Sequence, residues 1–92
     1  MTAELIKSVL TTAFKPELLE VIDNSKAHAG HAGARSGGGH YHVTIVAEAF
    51  ENKSLVQRHQ LIYNALGDLM KQHIHALGIN ALSPSEENQG NK

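Results

Sequence analysis

The stretch from Phe50 to Ile79, FENKSLVQRHQLIYNALGDLMKQHIHALGI, constrains the fold more than any other part of the chain. Leu55, Ile62, Leu66 and Leu69 recur at steps of seven, four and three residues, flanked by Leu61 and Ala65. A helix with about 3.6 residues per turn brings such positions onto one side, so the spacing predicts an amphipathic helix with that face buried. Ser54 stands where a hydroxyl oxygen accepts from the free amides of the first turn. Gly67 interrupts the pattern near its end and predicts a break into two shorter helices. The run from His73 to Ile79 is short and apolar, as a strand would be.

The chain before this stretch has the complementary parts. Leu5, Ile6, Val9, Leu10 and Ala13 give residues 2–14 a helical period, and Pro16 ends it because the residue before a proline is driven out of the helical region. Leu18, Leu19, Val21 and Ile22 suit a first strand, closed by the turn-forming Asp23-Asn24-Ser25. Residues 26–39, KAHAGHAGARSGGG, have almost nothing to bury and read as a long flexible loop. In a second strand Tyr41, Val43, Ile45 and Ala47 share one face, alternating with His42, Thr44, Val46 and Glu48. Residues 85–92 are polar without period and are expected to be a frayed tail, leaving 1–84 as a single domain.

The order is therefore α-β-β-α-α-β. Adjacent strands joined by a loop pair antiparallel, whereas a strand reached through a helical crossover pairs parallel with its neighbour. The expected architecture is α+β, a three-stranded mixed sheet with helices packed on one face.

Composition removes several functions. Net charge is −1 with the histidines neutral, so no bulk field draws the chain to nucleic acid or to an acidic membrane. The absence of cysteine excludes disulfides, thiol nucleophiles and an all-thiolate metal or cluster site built by this chain alone. No bilayer-length apolar segment or signal-peptide progression is visible, which points to the cytoplasm, with the mitochondrial matrix as the alternative.

What chemistry remains is in seven histidines, at 28, 31, 40, 42, 59, 73 and 75. His40 with His42, and His73 with His75, project to a common side if both members of a pair lie within a strand. Neutral imidazole ligates zinc, copper and iron, so a loop histidine meeting a strand histidine makes a candidate metal site, incomplete without ligands from a partner.

Arg58-His59 with Ile62-Tyr63, then Ile74-His75-Ala76-Leu77 and Pro84, resembles the signature of the BolA-like family. His28-Ala29-Gly30-His31 and His40-Tyr41 resemble its histidine-loop branch, and Ile45-Val46-Ala47 through Phe50 and Lys53 resembles its second strand and following turn. The resemblance runs from about residue 4 to residue 84, with departures at Gln60, Ala47 and Asn52, where the family commonly carries arginine, serine and glycine. It implies a fold similar to the class II KH domain and a partnership with a monothiol glutaredoxin. In such pairs a [2Fe-2S] cluster is shared among the glutaredoxin cysteine, a glutathione thiol and two ligands of the BolA-like protein. Carried onto this chain, the strand ligand is His75 and the loop ligand is His28 or, less directly, His40; the chain alone would be a monomer without cofactor, and with its partner a heterodimer.

A KH-like, DNA-binding regulator is the other reading. Gly30-His31-Ala32-Gly33 fits a GxxG loop but joins two strands instead of two helices, and Lys53, Arg58 and Lys71 are the residues available for a phosphate-binding patch. An enzyme lacks a placed nucleophile, since serines such as Ser36 lie in the loop, and Arg35 stands where a phosphate-binding loop needs its second glycine.

Overall fold

The structure, a computed structural model, describes residues 2–24 and 39–90. Helix α1 (Thr2–Phe14) leads to strand β1 (Leu18–Asp23); β2 (Gly39–Val46) follows, then a single 3₁₀ turn at Glu48–Phe50. Helices α2 (Leu55–Leu66) and α3 (Asp68–Gln72) precede β3 (Ile74–Leu82) and a short α4 (Pro84–Gly90).

The sheet has the order β1-β2-β3. β1 pairs antiparallel with β2, from Leu18 opposite Val46 to Asp23 opposite Tyr41. β3, reached through the two helices, runs parallel to β2 with His40 opposite Ala76 and Val46 opposite Leu82. This is the mixed sheet that the element order predicts.

One face of the sheet carries the core. Tyr41, Val43 and Ile45 of β2 and Ile74 and Ala81 of β3 meet Ile6 and Leu10 of α1 and Ile62 and Leu66 of α2, all buried. Phe50 is fully buried beneath them, its ring 5.2 Å from that of Phe14. Removing each of the buried valine, leucine, isoleucine and phenylalanine side chains from water stabilises the fold by about 1.5–3 kcal/mol, before the cost of ordering it.

Local signals do what they predict around α2. Ser54 accepts from the Gln57 amide at 3.1 Å while its own amide donates to the Gln57 side chain at 2.8 Å, a reciprocal capping box. Gly67 lies at φ 51°, ψ −120°, ending α2 and opening α3. Side chains other than hydrogen rarely tolerate that region, so the break needs glycine. Asn52, which stands where glycine is common in the resembling family, has φ 62°, a left-handed conformation that asparagine accepts better than most residues.

Three expectations change. Leu55 lies on the apolar stripe of α2 by period but is 65% exposed, because it is the first residue of the helix and has no layer above it. His73 is not in the strand: it caps the end of α3 with φ −125°, ψ −15°, so it does not share a strand face with His75. Residues 84–90 are helical instead of frayed, for a reason that lies in Arg58.

Arg58 is only 4% exposed. Its Nε donates to the Lys53 carbonyl at 3.0 Å and its Nη1 to the Ala81 carbonyl at 2.9 Å. The guanidinium then meets the Glu86 carboxylate in a two-point fork. That pairing anchors α4 against the end of β3 and the start of α2.

Candidate functional site

At the end of the sheet where β2 and β3 begin, the register slips. Gly39 is opposite Ile74 but His40 is opposite Ala76, so His75 is the extra residue of a bulge. Bulges re-aim side chains, and this one brings the His75 imidazole beside that of His40, ring centres 5.1 Å apart and planes inclined by 47°. The Gly39 amide donates to the His73 carbonyl at 3.1 Å, closing the ladder just before the bulge. His75 is exposed and His40 half-buried, so the pair opens to solvent.

His42 shares its face of β2 with His40, as the two-residue spacing predicts, but its imidazole lies over Gly78 on the opposing strand. A Cβ at residue 78 would fall 2.7 Å from His42 Cδ2, so the missing side chain is what makes room for the ring. His59 is on α2, its ring 6.4 Å from and edge-on to that of Tyr63, a helix-surface contact between residues four apart. His28 and His31 lie outside the described residues.

The ring separation fits ligation. With a metal–nitrogen distance of about 2.0–2.1 Å and a near-tetrahedral angle, two imidazoles on one ion have ring centres about 5 Å apart. The donors are nitrogen alone. Among the described residues no group of three or more histidine, aspartate or glutamate side chains stands close enough to hold a metal, so the pair supplies half of a four-coordinate site at most.

The basic patch expected from Lys53, Arg58 and Lys71 does not form as a unit. Arg58 spends its donors inside the fold, leaving Lys53 before the start of α2 and Lys71 in the last turn of α3, both exposed. The period itself held the signal: Arg58 stands four and eight residues before the buried Ile62 and Leu66, on the inward face of α2. A polar cleft lined by Phe14, Lys15, Glu17, Glu48 and Ala49 lies at the opposite end of the sheet from the histidine pair. No helix among the described residues is long and apolar enough to cross a membrane.

The chain matches the family model described as BolA-like protein over residues 10–86. It is 45% identical over 86 residues to SufE-like protein 1, chloroplastic/mitochondrial, of Arabidopsis thaliana, a match covering 88% of this chain but 23% of that protein. It is 37% identical over 92 residues to the DNA-binding transcriptional regulator BolA of Vibrio cholerae, covering 100% of this chain and 84% of the relative. Among solved structures, the BolA domain of SufE1 from Arabidopsis thaliana superposes with a TM-score of 0.81 at 44% identity, covering 91% of this chain and 93% of that one. BolA1 from the same plant gives 0.79 at 37% identity with the same coverage, 91% and 93%.

Proposed function

The chain belongs to the BolA-like family, and from that membership and the facing imidazoles of His40 and His75 we propose a non-enzymatic adaptor that binds a monothiol glutaredoxin and co-ligates a shared [2Fe-2S] cluster. The observation that carries the reading is the bulge, which places a strand histidine and a neighbouring histidine side by side at an open edge. Two nitrogen donors without a thiolate are half of a cluster's ligands, and the glutaredoxin cysteine and glutathione bring the other half. Imidazole in place of thiolate raises the potential of such a cluster. His75 is the strand ligand; the second is His40, with His28 in the loop as its competitor. The cluster is cargo, held for transfer or for sensing iron.

The test is anaerobic reconstitution of the full chain with a monothiol glutaredoxin, glutathione, iron and sulfide, followed by visible absorption and circular dichroism. A spectrum distinct from that of the glutaredoxin homodimer, with one cluster per heterodimer, is the expected result. No complex and an unchanged glutaredoxin spectrum would sink the reading. Weight would then move to the role in the name of the Vibrio cholerae relative, DNA-binding regulation. For this chain that role starts from a weaker position, because the guanidinium of Arg58 faces inward.

A further inference from the structure

We propose that β1 is a docking edge, to which an extended, basic segment of a partner protein adds antiparallel as a fourth strand. β2 separates this edge from β3 and His75, so the inference stands whether or not the cluster reading does.

The backbone makes the first argument. β1 ends the sheet and pairs with β2 alone among the described residues. The Asn24 amide donates to the His40 carbonyl at 2.7 Å, in step with the register that sets Asp23 opposite Tyr41. An antiparallel ladder alternates, so Ile22 and Glu20 also turn their amides and carbonyls toward β2, while Leu19 and Val21 turn theirs outward. Those outward groups are the template with which an added strand pairs. The other edge of the sheet is closed at one end, where Arg58 takes the Ala81 carbonyl of β3 and anchors α4.

Side chains make the second. Leu19 and Val21 pack against the core, so Leu18, Glu20 and Ile22 share the opposite face, with Leu18 and Ile22 40% and 43% exposed. The charged residues between positions 16 and 24 are Glu17, Glu20 and Asp23, with no lysine or arginine among them. Thr44 stands opposite Glu20 on β2, and Glu20 has no ion-pair partner among the described residues. The edge is an apolar, acidic, apolar row whose central charge is unanswered.

That row selects its occupant. A strand with lysine or arginine opposite Glu20 and aliphatic residues opposite Leu18 and Ile22 gains a cross-strand ion pair and two apolar contacts beside the backbone bonds. A second copy of this chain is the poorer fit. The register that pairs most of β1 with its copy, Leu19 against Val21, sets Glu20 opposite Glu20 and Glu17 opposite Asp23, and like charges directly opposite destabilise a ladder. Nucleic acid is repelled by the same carboxylates.

The experiment is an amide NMR titration of the full-length chain with the capped peptide Ac-Arg-Val-Thr-Lys-Thr-Val-Arg-NH2, whose threonines fall opposite Leu19 and Val21 and whose lysine falls opposite Glu20. The expected result is a saturable 1:1 shift of the signals of residues 18–23, with hydrogen exchange of the Leu19 and Val21 amides slowed. Two further peptides separate strand pairing from charge attraction. Ac-Arg-Val-Pro-Lys-Pro-Val-Arg-NH2 keeps the charges but lacks the central donors, and Ac-Glu-Val-Thr-Glu-Thr-Val-Glu-NH2 keeps the donors but reverses the charge; neither should give the response. Glu20→Lys, its fold checked by far-UV circular dichroism, should weaken binding of the first peptide by about threefold or more. Equal binding of the proline peptide or of the acidic one would overturn the proposal. So would no response, a response centred outside β1, or undiminished affinity in Glu20→Lys. Protection of Leu19 and Val21 that grows with protein concentration in the absence of peptide would identify a second copy as the occupant and overturn the basic partner.

Discussion

The guanidinium of Arg58 grips the carboxylate of Glu86 through two bonds, Nη1 to Oε1 at 2.6 Å and Nη2 to Oε2 at 3.2 Å. The same side chain donates to the Lys53 and Ala81 carbonyls, so one residue joins the start of α2, the end of β3 and the first turn of α4. Such a fork is specific to arginine, because a lysine ammonium is a point donor that cannot satisfy a carboxylate and two carbonyls in that plane. Arg58→Ala is expected to destabilise the fold by about 2–3 kcal/mol, since it strands a buried carbonyl and removes packing. Arg58→Lys should fall between that variant and the wild type. Urea unfolding midpoints test this; values within about 0.5 kcal/mol of wild type for both variants would mark Arg58 as an ordinary surface charge.

The pH dependence follows from the same pair. The Glu86 carboxyl is held down from its ordinary 4.5 to about 2, first by the hydrogen bond from Arg58 and then by the Ser83 amide, which donates to Oε1 at 2.9 Å. A carboxyl whose folded value lies below its unfolded value contributes stability that is complete above the unfolded value and is lost as pH falls toward the folded one. The window here runs from 4.5 down to about 2. Thermal unfolding of wild type and Glu86→Gln between pH 6 and 2.5 should show the two melting temperatures converging as pH drops. The carboxylate is part exposed, so added salt should narrow the gap at pH 6. A gap independent of pH would contradict the ion pair.

How much of this was legible without coordinates depends on how local each signal is. The Ser54 cap and the Gly67 break are set by the residues beside them, and both are where the sequence predicts. Strand pairing followed from which connection contains a helix. The inward direction of Arg58 was also present in the spacing, but its partner is 28 residues away, so Glu86 reads from sequence as part of a polar tail. The bulge is invisible to a two-residue period, because it arises from the slip of one strand against another. For that reason the spacing of His73 and His75 suggests a pair, while the structure pairs His75 with His40.

Gly67 offers a backbone test. At φ 51°, ψ −120° an added Cβ is strained by the conformation itself, and open space around it brings no relief, its nearest neighbour being the Asn64 carbonyl oxygen at 3.8 Å. Gly67→Ala is expected to cost about 1–3 kcal/mol. A variant as stable as wild type in urea would mean that α2 and α3 join in a geometry other than the one described.

Phe50 tests the core under α1. Its ring is fully buried and lies 5.2 Å from Phe14, a tilted contact between the 3₁₀ turn and the end of α1. Phe50→Ala removes a large buried side chain and should cost about 3–5 kcal/mol, while Phe50→Leu, closer in volume, should cost less. Leu55→Ala is the control: at 65% exposure it should change stability by no more than about 0.5 kcal/mol. Equal losses at 50 and 55 would place the buried face of this region elsewhere.

The histidine variants separate ligands from neighbours in the complex with glutaredoxin. His75→Ala removes the residue that the bulge turns toward His40 and should abolish the cluster spectrum of the heterodimer. His40→Ala and His28→Ala should differ in severity, and the one that matches His75→Ala is the second ligand. His42→Ala is the informative control, because it lies on the same face of β2 as His40 yet rests over Gly78 on the next strand. A general loss of basic or polar character at this end of the sheet would affect His42→Ala and His40→Ala alike. Ligation would not, since a coordinate bond depends on which nitrogen reaches the iron, and only the imidazoles of His40 and His75 are ring neighbours among the described residues of β2 and β3. An unaltered cluster spectrum in His75→Ala would remove the strand ligand, and with it the reason the bulge gives for placing the cluster here.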